Sequence, residues 1–421
     1  MIAASGAVRE RGIDSAALPG RNSAATGQLS GRQMDDVRPA TPLARARELA
    51  KAIAAHAETI ELRRRLPAAL LDELHDRRLF RMLLPRSVGG DEVMPGAYVE
   101  AVEELARADG SVSWCVSIAN STGLIAPYLA PEVAHEIFAD PRATVAWGPP
   151  NDCTAQAVPG GYRVTGRWDF ASGCRHARWI GAHGPVREAD GSLRLHPNGR
   201  PAIRTWLFPV EQATLLDNWN PIGLRGTASE SYTVGDLFVP EAFSSTREDP
   251  TLRREPGRLY AFPQQTLYSV GIASVALGIA RGMLDAFIVL AAEKAPRGMV
   301  RLADNAVIQA AVARADARLG SAREFLLATV GAIHQTADEV APIGVAERAR
   351  VRLAGVNAIH NAVAVADYTY KAAGVDAIFP GSPFERRFRD IHTLSQQIQS
   401  RDAHYESIGQ VLFGNPPAIF L

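Results

Sequence analysis

Few side chains in this 421-residue chain combine the type and spacing that chemistry needs. The stretch GRWDFASG at residues 166–173 places Ser172 at a small-residue turn, with Trp168 and Phe170 before it and His176 and Trp179 after it. A serine hydroxyl there can offer both a proton and a lone pair, or can cap the turn before Gly173. Toward the C-terminus Arg389, Asp390 and His392 stand together, and His392 and Gln396 share one face at helical i, i+4 spacing. Gln397 beside them can hydrogen-bond but cannot shuttle a proton. His360 is a second helical histidine of the same standing. Arg297 falls in a break after a long helical segment, where its guanidinium fork suits a phosphate.

The commonest catalytic signatures are missing. The sequence has no phosphate-cradling P-loop, no Rossmann glycine fingerprint, no HExxH and no nucleophile elbow. Formal charge balances to zero at a pI near 7.2, so nothing provides the basic field that nucleic acid requires. Lysine occurs only at Lys51, Lys294 and Lys371, with arginine carrying the rest of the positive charge. Cys115, Cys153 and Cys174 are odd in number and lack metal-ligand spacing, which points to a reducing cytoplasm without structural disulfides. No stretch of about 18 residues reads as apolar without polar interruption, so no transmembrane helix is expected. Residues 1–38 lack a sustained period and read as a disordered lead-in, with Met34 an alternative start.

These side chains need elements to hold them. From Pro42 to Phe80, Tyr98 to Ala106, Ser111 to Ala126 and Pro131 to Phe138 the apolar spacing is helical. At Thr144 it changes to strands, with Pro159, Gly160 and Gly161 signalling a hairpin and Pro240 stopping the last strand. Four long helical segments follow: Tyr268–Glu293, Asp304–Val340, Val345–Ala373 and Pro383–Leu412. Gly374 is placed to cap the third, and Ser382 to Glu385 reads as a capping box opening the fourth. The expected fold is α+β, mainly α: an N-terminal helical domain (39–142), a middle β-barrel or sandwich domain (143–250) and a C-terminal four-helix bundle (251–421).

That order resembles the acyl-CoA dehydrogenase superfamily, and local motifs resemble its flavin monooxygenase branch. Leu84 and Pro85 with Gly89 and Gly90 resemble its "LVP…GG" segment, and Ala108–Ser111 leading to Trp114 resembles the helix before its flavin site. Residues 166–179 resemble its "GxWxFxSGxxHAxW", Gly223–Ser229 with Val239 and Pro240 its "GMRGTGS…VFVP", and Arg389–His392 its "RDxH". The resemblance spans roughly residues 42–415. It implies that Ser172 hydrogen-bonds near the reactive edge of a flavin, with Trp114 and Trp147 at the cofactor. It also implies that Arg297 reaches the flavin phosphate of a neighbouring subunit. Arg225 is expected to be structural and Gln309 is read likewise. A flat, amphipathic ring needs an apolar wall and a few hydrogen-bond partners, which a β domain packed on helices can supply.

The chain also departs from the pattern. A large dehydrogenase branch carries its base eight residues after the Asp of "RD", a position held here by Ile398, which cannot accept a proton. The monooxygenase branch often has a histidine where Gln397 stands. Asn120 lies near where some relatives carry an active-site histidine. The resemblance therefore implies the oxygenase component of a two-component flavin monooxygenase. It would take reduced FMN or FAD from a separate flavin reductase, react it with O2 through a C4a-hydroperoxide, and oxygenate a small organic substrate. Ser172, His392 and Asn120 are the catalytic candidates, and Gln396, Gln397 and His360 the substrate-binding ones. A homotetramer is expected, without nucleic acid, membrane or metal. The alternatives are an acyl-CoA dehydrogenase, an amine N-oxygenase and a flavin-fold scaffold without turnover.

Overall fold

The computed structural model describes residues 40–196, 199–246, 249 and 252–419. The expected lead-in and the alternative start at Met34 lie outside the described residues. Helices α1 (Pro42–Arg63), α2 (Ala68–Asp76), α3 (Pro95–Ala108), α4 (Gly110–Gly123) and α5 (Pro131–Phe138) come first. Each starts for a local reason. Thr41 accepts from the amide of Ala44 at α1, Asp109 from that of Val112 at α4, and prolines open α1, α3 and α5.

Strands then form one eight-stranded sheet: β1 (Val145–Ala146), β2 (Pro150–Val158), β3 (Gly161–Ala171), β4 (Trp179–Arg187), β5 (Ile203–Pro209), β6 (Thr214–Leu215), β7 (Glu230–Pro240) and β8 (Ser244–Ser245). Their order is β6-β7-β3-β2-β4-β5-β8, with β1 beside β4. Val158 pairs with Gly161 across the Pro159–Gly160 turn, where Gly160 takes φ 81°. Ladder β3–β7 runs from Gly161↔Pro240 to Ala171↔Glu230, with an irregularity between Trp168 and Ala171. That irregularity turns Phe170 outward at φ 62°.

The C-terminal part holds α6 (Gln264–Glu293), α7 (Ala306–Thr336), α8 (Val345–Ala373), α9 (Glu385–Ser395) and α10 (Ala403–Leu412). Helix α6 is the axis of the molecule, packed against α3, α4 and α8. Its small residues permit this. A side chain at Gly271 would meet Ser117 Oγ at 2.2 Å, and one at Gly278 would meet the Glu103 carbonyl at 2.2 Å. By length and composition α6 also passes for a membrane span, with a mean hydropathy of 1.9 over 18 residues, contrary to the expectation from its polar interruptions. Ser269 and Ser274 bond back to the carbonyls of Thr266 and Val270, so those interruptions lie inside an apolar, core-facing helix.

Two expectations fail here. The fourth long segment is not one helix: α9 ends at Ser395, and a short tight turn at Ile398–Ser400 precedes α10. The capping box does not form either. Ser382 Oγ accepts from the Phe384 amide, one residue short of Glu385, and Glu385 pairs with Arg389 instead. Gly374 does end α8, at φ 63°.

One buried contact joins the helices to the sheet's connecting loop. Asp390 on α9 accepts from the Leu224 amide at 2.6 Å and faces Asp109, the cap of α4, which is held by Arg386 at 3.5 Å. Burial, then the neighbouring Asp109 carboxylate, pushes the Asp390 carboxyl up to about 7. A carboxyl raised in the fold favours folding below its unfolded pKa, and that advantage disappears as pH rises toward 7. Asp390→Asn keeps the acceptor and removes the ionisation. Urea unfolding is expected to show the variant gaining on wild type by a few kcal/mol between pH 5 and pH 8, on the order of 1.4 kcal/mol per pH unit crossed. Parallel pH dependences for the two proteins would contradict this.

Candidate active site

The two segments singled out for a planar ligand lie side by side. Pro150 pairs with Trp168, the Asp169 amide donates to the Pro149 carbonyl at 3.1 Å, and a side chain at Gly148 would come within 1.7 Å of the Asp169 carbonyl. Trp147 therefore sits against the strand that leads into Ser172. Its half-buried ring covers Gly181, where a Cβ would stand 2.6 Å from it, and meets His183 edge-on at 6.3 Å. Phe170 is 61 % exposed, with Trp219 edge-on at 6.3 Å. A large aromatic held outward in left-handed backbone is a cost without a structural return, as expected of a surface kept for a ligand.

Behind this surface runs a chain of hydrogen bonds whose direction can be assigned. The Trp114 indole N–H donates to Ser172 Oγ at 2.9 Å. Ser172 Oγ lies 2.7 Å from Ser229 Oγ, and that 2.6 Å from Thr227 Oγ1, which donates to the Leu224 carbonyl at 2.9 Å. Indole nitrogen only donates and a carbonyl only accepts, so each hydroxyl must pass its proton toward Leu224. Ser172 thus spends its proton on Ser229 and keeps only a lone pair to offer. All members are buried. The loop carrying Leu224 to Ser229 is pinned further. The Gly226 amide donates to Ser111 Oγ at 3.2 Å, and the thiols of Cys115 and Cys174 point at the carbonyls of Thr227 and Ala228 at 3.8 and 3.3 Å. Burial pushes the Cys174 thiol up to about 12 and raises Cys115 as well, so both are inert packing groups. His176 lies under Gly173 and beside Phe80 at 5.8 Å, and burial pushes it down to about 4, an uncharged support for the turn.

Helices α4, α6 and α9 close the other side. On α4, Trp114, Ser117 and Ser121 share a face, and on α6 so do Gln264, Tyr268 and Gly271. The two faces meet, since Gln264 donates to the Ser121 carbonyl at 3.2 Å and Gly271 abuts Ser117. Asp390 stands by Gly110 at one end of α4, and Gln397 reaches Tyr268 at the other. Gln397 Oε1 accepts from the Gln399 amide at 2.7 Å, and its Nε2 donates to the Tyr268 hydroxyl at 2.8 Å. Trp114, Ser172, Tyr268 and Gln397 thus border one region where α4, α6, the end of α9 and the Ser172 turn converge.

Other candidates stand elsewhere. Asn120 is buried and spends its amide on backbone, accepting from Leu83 and donating to the carbonyls of Leu79 and Val116, so it ties α4 to the Leu79–Arg81 turn. His392 points at α8, with Nε2 2.9 Å from Asp367 Oδ1 and its ring on Phe388. Gln396 is exposed at the end of α9, so His392, Gln396 and Gln397 do not form one face: the helix stops between them. His360 lies 2.8 Å from the Ser400 carbonyl and His404 2.8 Å from that of Ile398, so both imidazoles secure the tight turn. Arg225 pairs with Glu61 at 3.4 Å, and Gln309 bonds the Ala303 carbonyl, both structural. Arg297 is exposed between α6 and α7. No group of His, Cys, Asp and Glu converges as a metal site among the described residues.

Sequence reasoning missed Tyr268, Thr227 and Ser229 as site members. The serine and threonine stood in a recognised motif, and only their alignment with Trp114 reveals their part. Tyr268 carried no motif at all.

The acyl-CoA dehydrogenase N-terminal domain family matches residues 43–135 and the C-terminal domain family residues 270–401. The chain is 30 % identical over 360 residues to indole-3-acetate monooxygenase of Pseudomonas putida, covering 84 % of this chain and 89 % of that protein. It is 29 % identical over 381 residues to the oxygenase component of an FADH2-dependent resorcinol hydroxylase of Rhizobium sp., covering 86 % and 91 %. The crystal structure of the HsaA monooxygenase from M. tuberculosis superposes with a TM-score of 0.81 at 27 % identity, covering 90 % of this chain and 98 % of that one. XiaF from Streptomyces sp., solved with FADH2 and glycerol, gives 0.83 at 25 % identity, covering 90 % and 96 %. The chain belongs to the acyl-CoA dehydrogenase superfamily, in its branch of flavin-dependent monooxygenase oxygenase components.

Proposed function

We propose that this oxidoreductase takes reduced flavin from a separate reductase in the cytoplasm and hydroxylates a small aromatic or natural-product substrate between the Ser172 turn and α6. The observation that carries the reduced-flavin reading is the direction of the buried hydroxyl chain. Ser172 has a lone pair to give and no proton. Reduced flavin carries a proton at N5 and oxidised flavin does not, so an obligate acceptor beside that edge favours the reduced form. When bound, reduced flavin activates O2 and supplies one oxygen atom to the substrate. The chain's part is to hold the ring against Phe170 and Trp147, exclude water and orient the substrate. Against a dehydrogenase, the positions bordering this region on the helix side include Gln397 and Tyr268, neither a carboxylate. The same lack of a base keeps an amine substrate, N-oxygenated, as a second reading.

Arg297 supports a shared cofactor site. Helix α6 bears Tyr268 near one end and leads to Arg297 beyond the other, separated by roughly 40 Å of helix at 1.5 Å per residue. That separation favours a neighbouring subunit's site for Arg297 over its own chain's. Met299, Val300 and Val307 are exposed apolar side chains near it, which favours subunit contact there and the homotetramer. The three free cysteines fit a reducing compartment.

Ser229→Ala releases the Ser172 proton. Fluorescence titration of oxidised flavin and anaerobic titration of reduced flavin are expected to show the preference for reduced flavin falling about tenfold, the worth of one buried hydrogen bond. An unchanged ratio would refute the directional reading. Arg297→Ala is expected to weaken reduced FMN binding about tenfold and to leave reduced riboflavin, which lacks the phosphate, unaffected. Equal loss for both ligands would remove Arg297 from the phosphate.

A further inference from the structure

We infer that Tyr268 is the polar anchor of the substrate, donating its phenolic proton to an oxygen acceptor on the molecule to be oxygenated. This rests on the monooxygenase reading above and adds a residue and a substrate class to it.

The orientation of Gln397 settles what Tyr268 has to offer. Side-chain amides can be turned end for end, but the Gln399 backbone N–H can only donate, so Oε1 must face it. Nε2 is left facing Tyr268, and the phenolic oxygen is therefore the acceptor in that bond. The Tyr268 proton is not used there, and no other hydrogen bond among the described residues takes it. Burial pushes the phenol up to about 12, so the proton stays in place at working pH. Tyr268 is nevertheless only half-buried, unlike the fully buried α6 residues on either side of it, Leu267 and Ser269. A hydroxyl with a held proton, a fixed lone-pair partner and no acceptor among the described residues is a donor left for something outside the chain.

Its surroundings say where. Tyr268 lies on the α6 face that meets α4 between Ser117 and Ser121, one helical turn from Trp114, whose indole holds Ser172. Two of the polar groups bordering the region have fixed directions: Ser172 offers a lone pair on the sheet side and Tyr268 a proton on the helix side. A reduced flavin takes the first, which leaves the second for the substrate. Neither Tyr268 nor Gln397 can remove a proton at neutral pH, so the substrate is one that reacts without a protein base. The geometry thus selects an electron-rich ring bearing a hydroxyl, phenolate or carbonyl oxygen.

The test uses the full chain with reduced flavin and two probes of similar size. Resorcinol presents oxygen acceptors, whereas indole presents a ring N–H and no lone-pair acceptor. Wild type is expected to favour resorcinol in KM. Tyr268→Phe, which changes one atom, is expected to raise the resorcinol KM about tenfold and to move that for indole less than twofold. Gln397→Leu, which frees the phenol to turn, shifts the same preference in the same direction. Equal effects on both probes, no effect on either, or no resorcinol preference in wild type would overturn the assignment. Anaerobic titration separates this from the broader reading. A wild-type chain that fails to bind reduced flavin sinks the monooxygenase proposal and this one with it. A chain that binds it normally while Tyr268→Phe leaves resorcinol untouched sinks only the anchor.

Discussion

The structure depends on one buried line of hydrogen bonds, from the Trp114 indole through Ser172, Ser229 and Thr227 to Leu224, whose amide is held in turn by Asp390. It joins α4, the end of β3, the loop before β7 and α9, four elements distant in sequence. Each bond contributes only about 1 kcal/mol net, but removing one member leaves a buried polar group unpaired at a cost of about 1–3 kcal/mol. The line therefore holds as a unit or not at all. Phe170, Leu224 and Ala228 adopt left-handed backbone at φ 62°, 50° and 45° around it. Conformations of that kind cost about 1–3 kcal/mol each, comparable with the bonds that hold them.

Packing makes that line possible. Gly223 and Gly226 allow the loop backbone to touch Arg389, Ile60 and Ser111, where any side chain would collide. Gly271 and Gly278 let α6 approach α4 and α3 closely, which puts Tyr268 within reach of the groups around Trp114. Short approach distances thus come first and directed polar contacts follow. The groups left over have opposite character, a lone pair at Ser172 on the sheet side and a proton at Tyr268 on the helix side.

Much of this was legible in the sequence. Strict helical spacing, strand alternation and the Pro159–Gly160 turn marked the element order, and the motif around Ser172 located the sheet side of the site. What failed did so for tertiary reasons. Helical spacing continues through Gln396 and Gln397, yet α9 stops there, because His360, His404 and the Gln397 side chain satisfy the turn's polar groups and Arg352 bonds Gln399. His392, read on the same face as Gln396, is drawn to Asp367 on another helix. Asn120 was expected near an active-site position, but three backbone groups of the core consume its amide. Such partners come from segments far away in sequence, where local periodicity carries no information. Tyr268 went unnoticed for the converse reason, since its meaning comes only from Gln397.

On the proposed function, this chain binds reduced flavin and governs its reaction with O2. The direct measurement is anaerobic mixing of the pure protein with reduced FMN or FAD, followed by a pulse of oxygenated buffer while flavin absorbance is recorded. A transient spectrum distinct from both reduced and oxidised flavin, outlasting the reoxidation of free flavin, is the expected result. Immediate appearance of oxidised flavin, at the rate seen without protein, would contradict it.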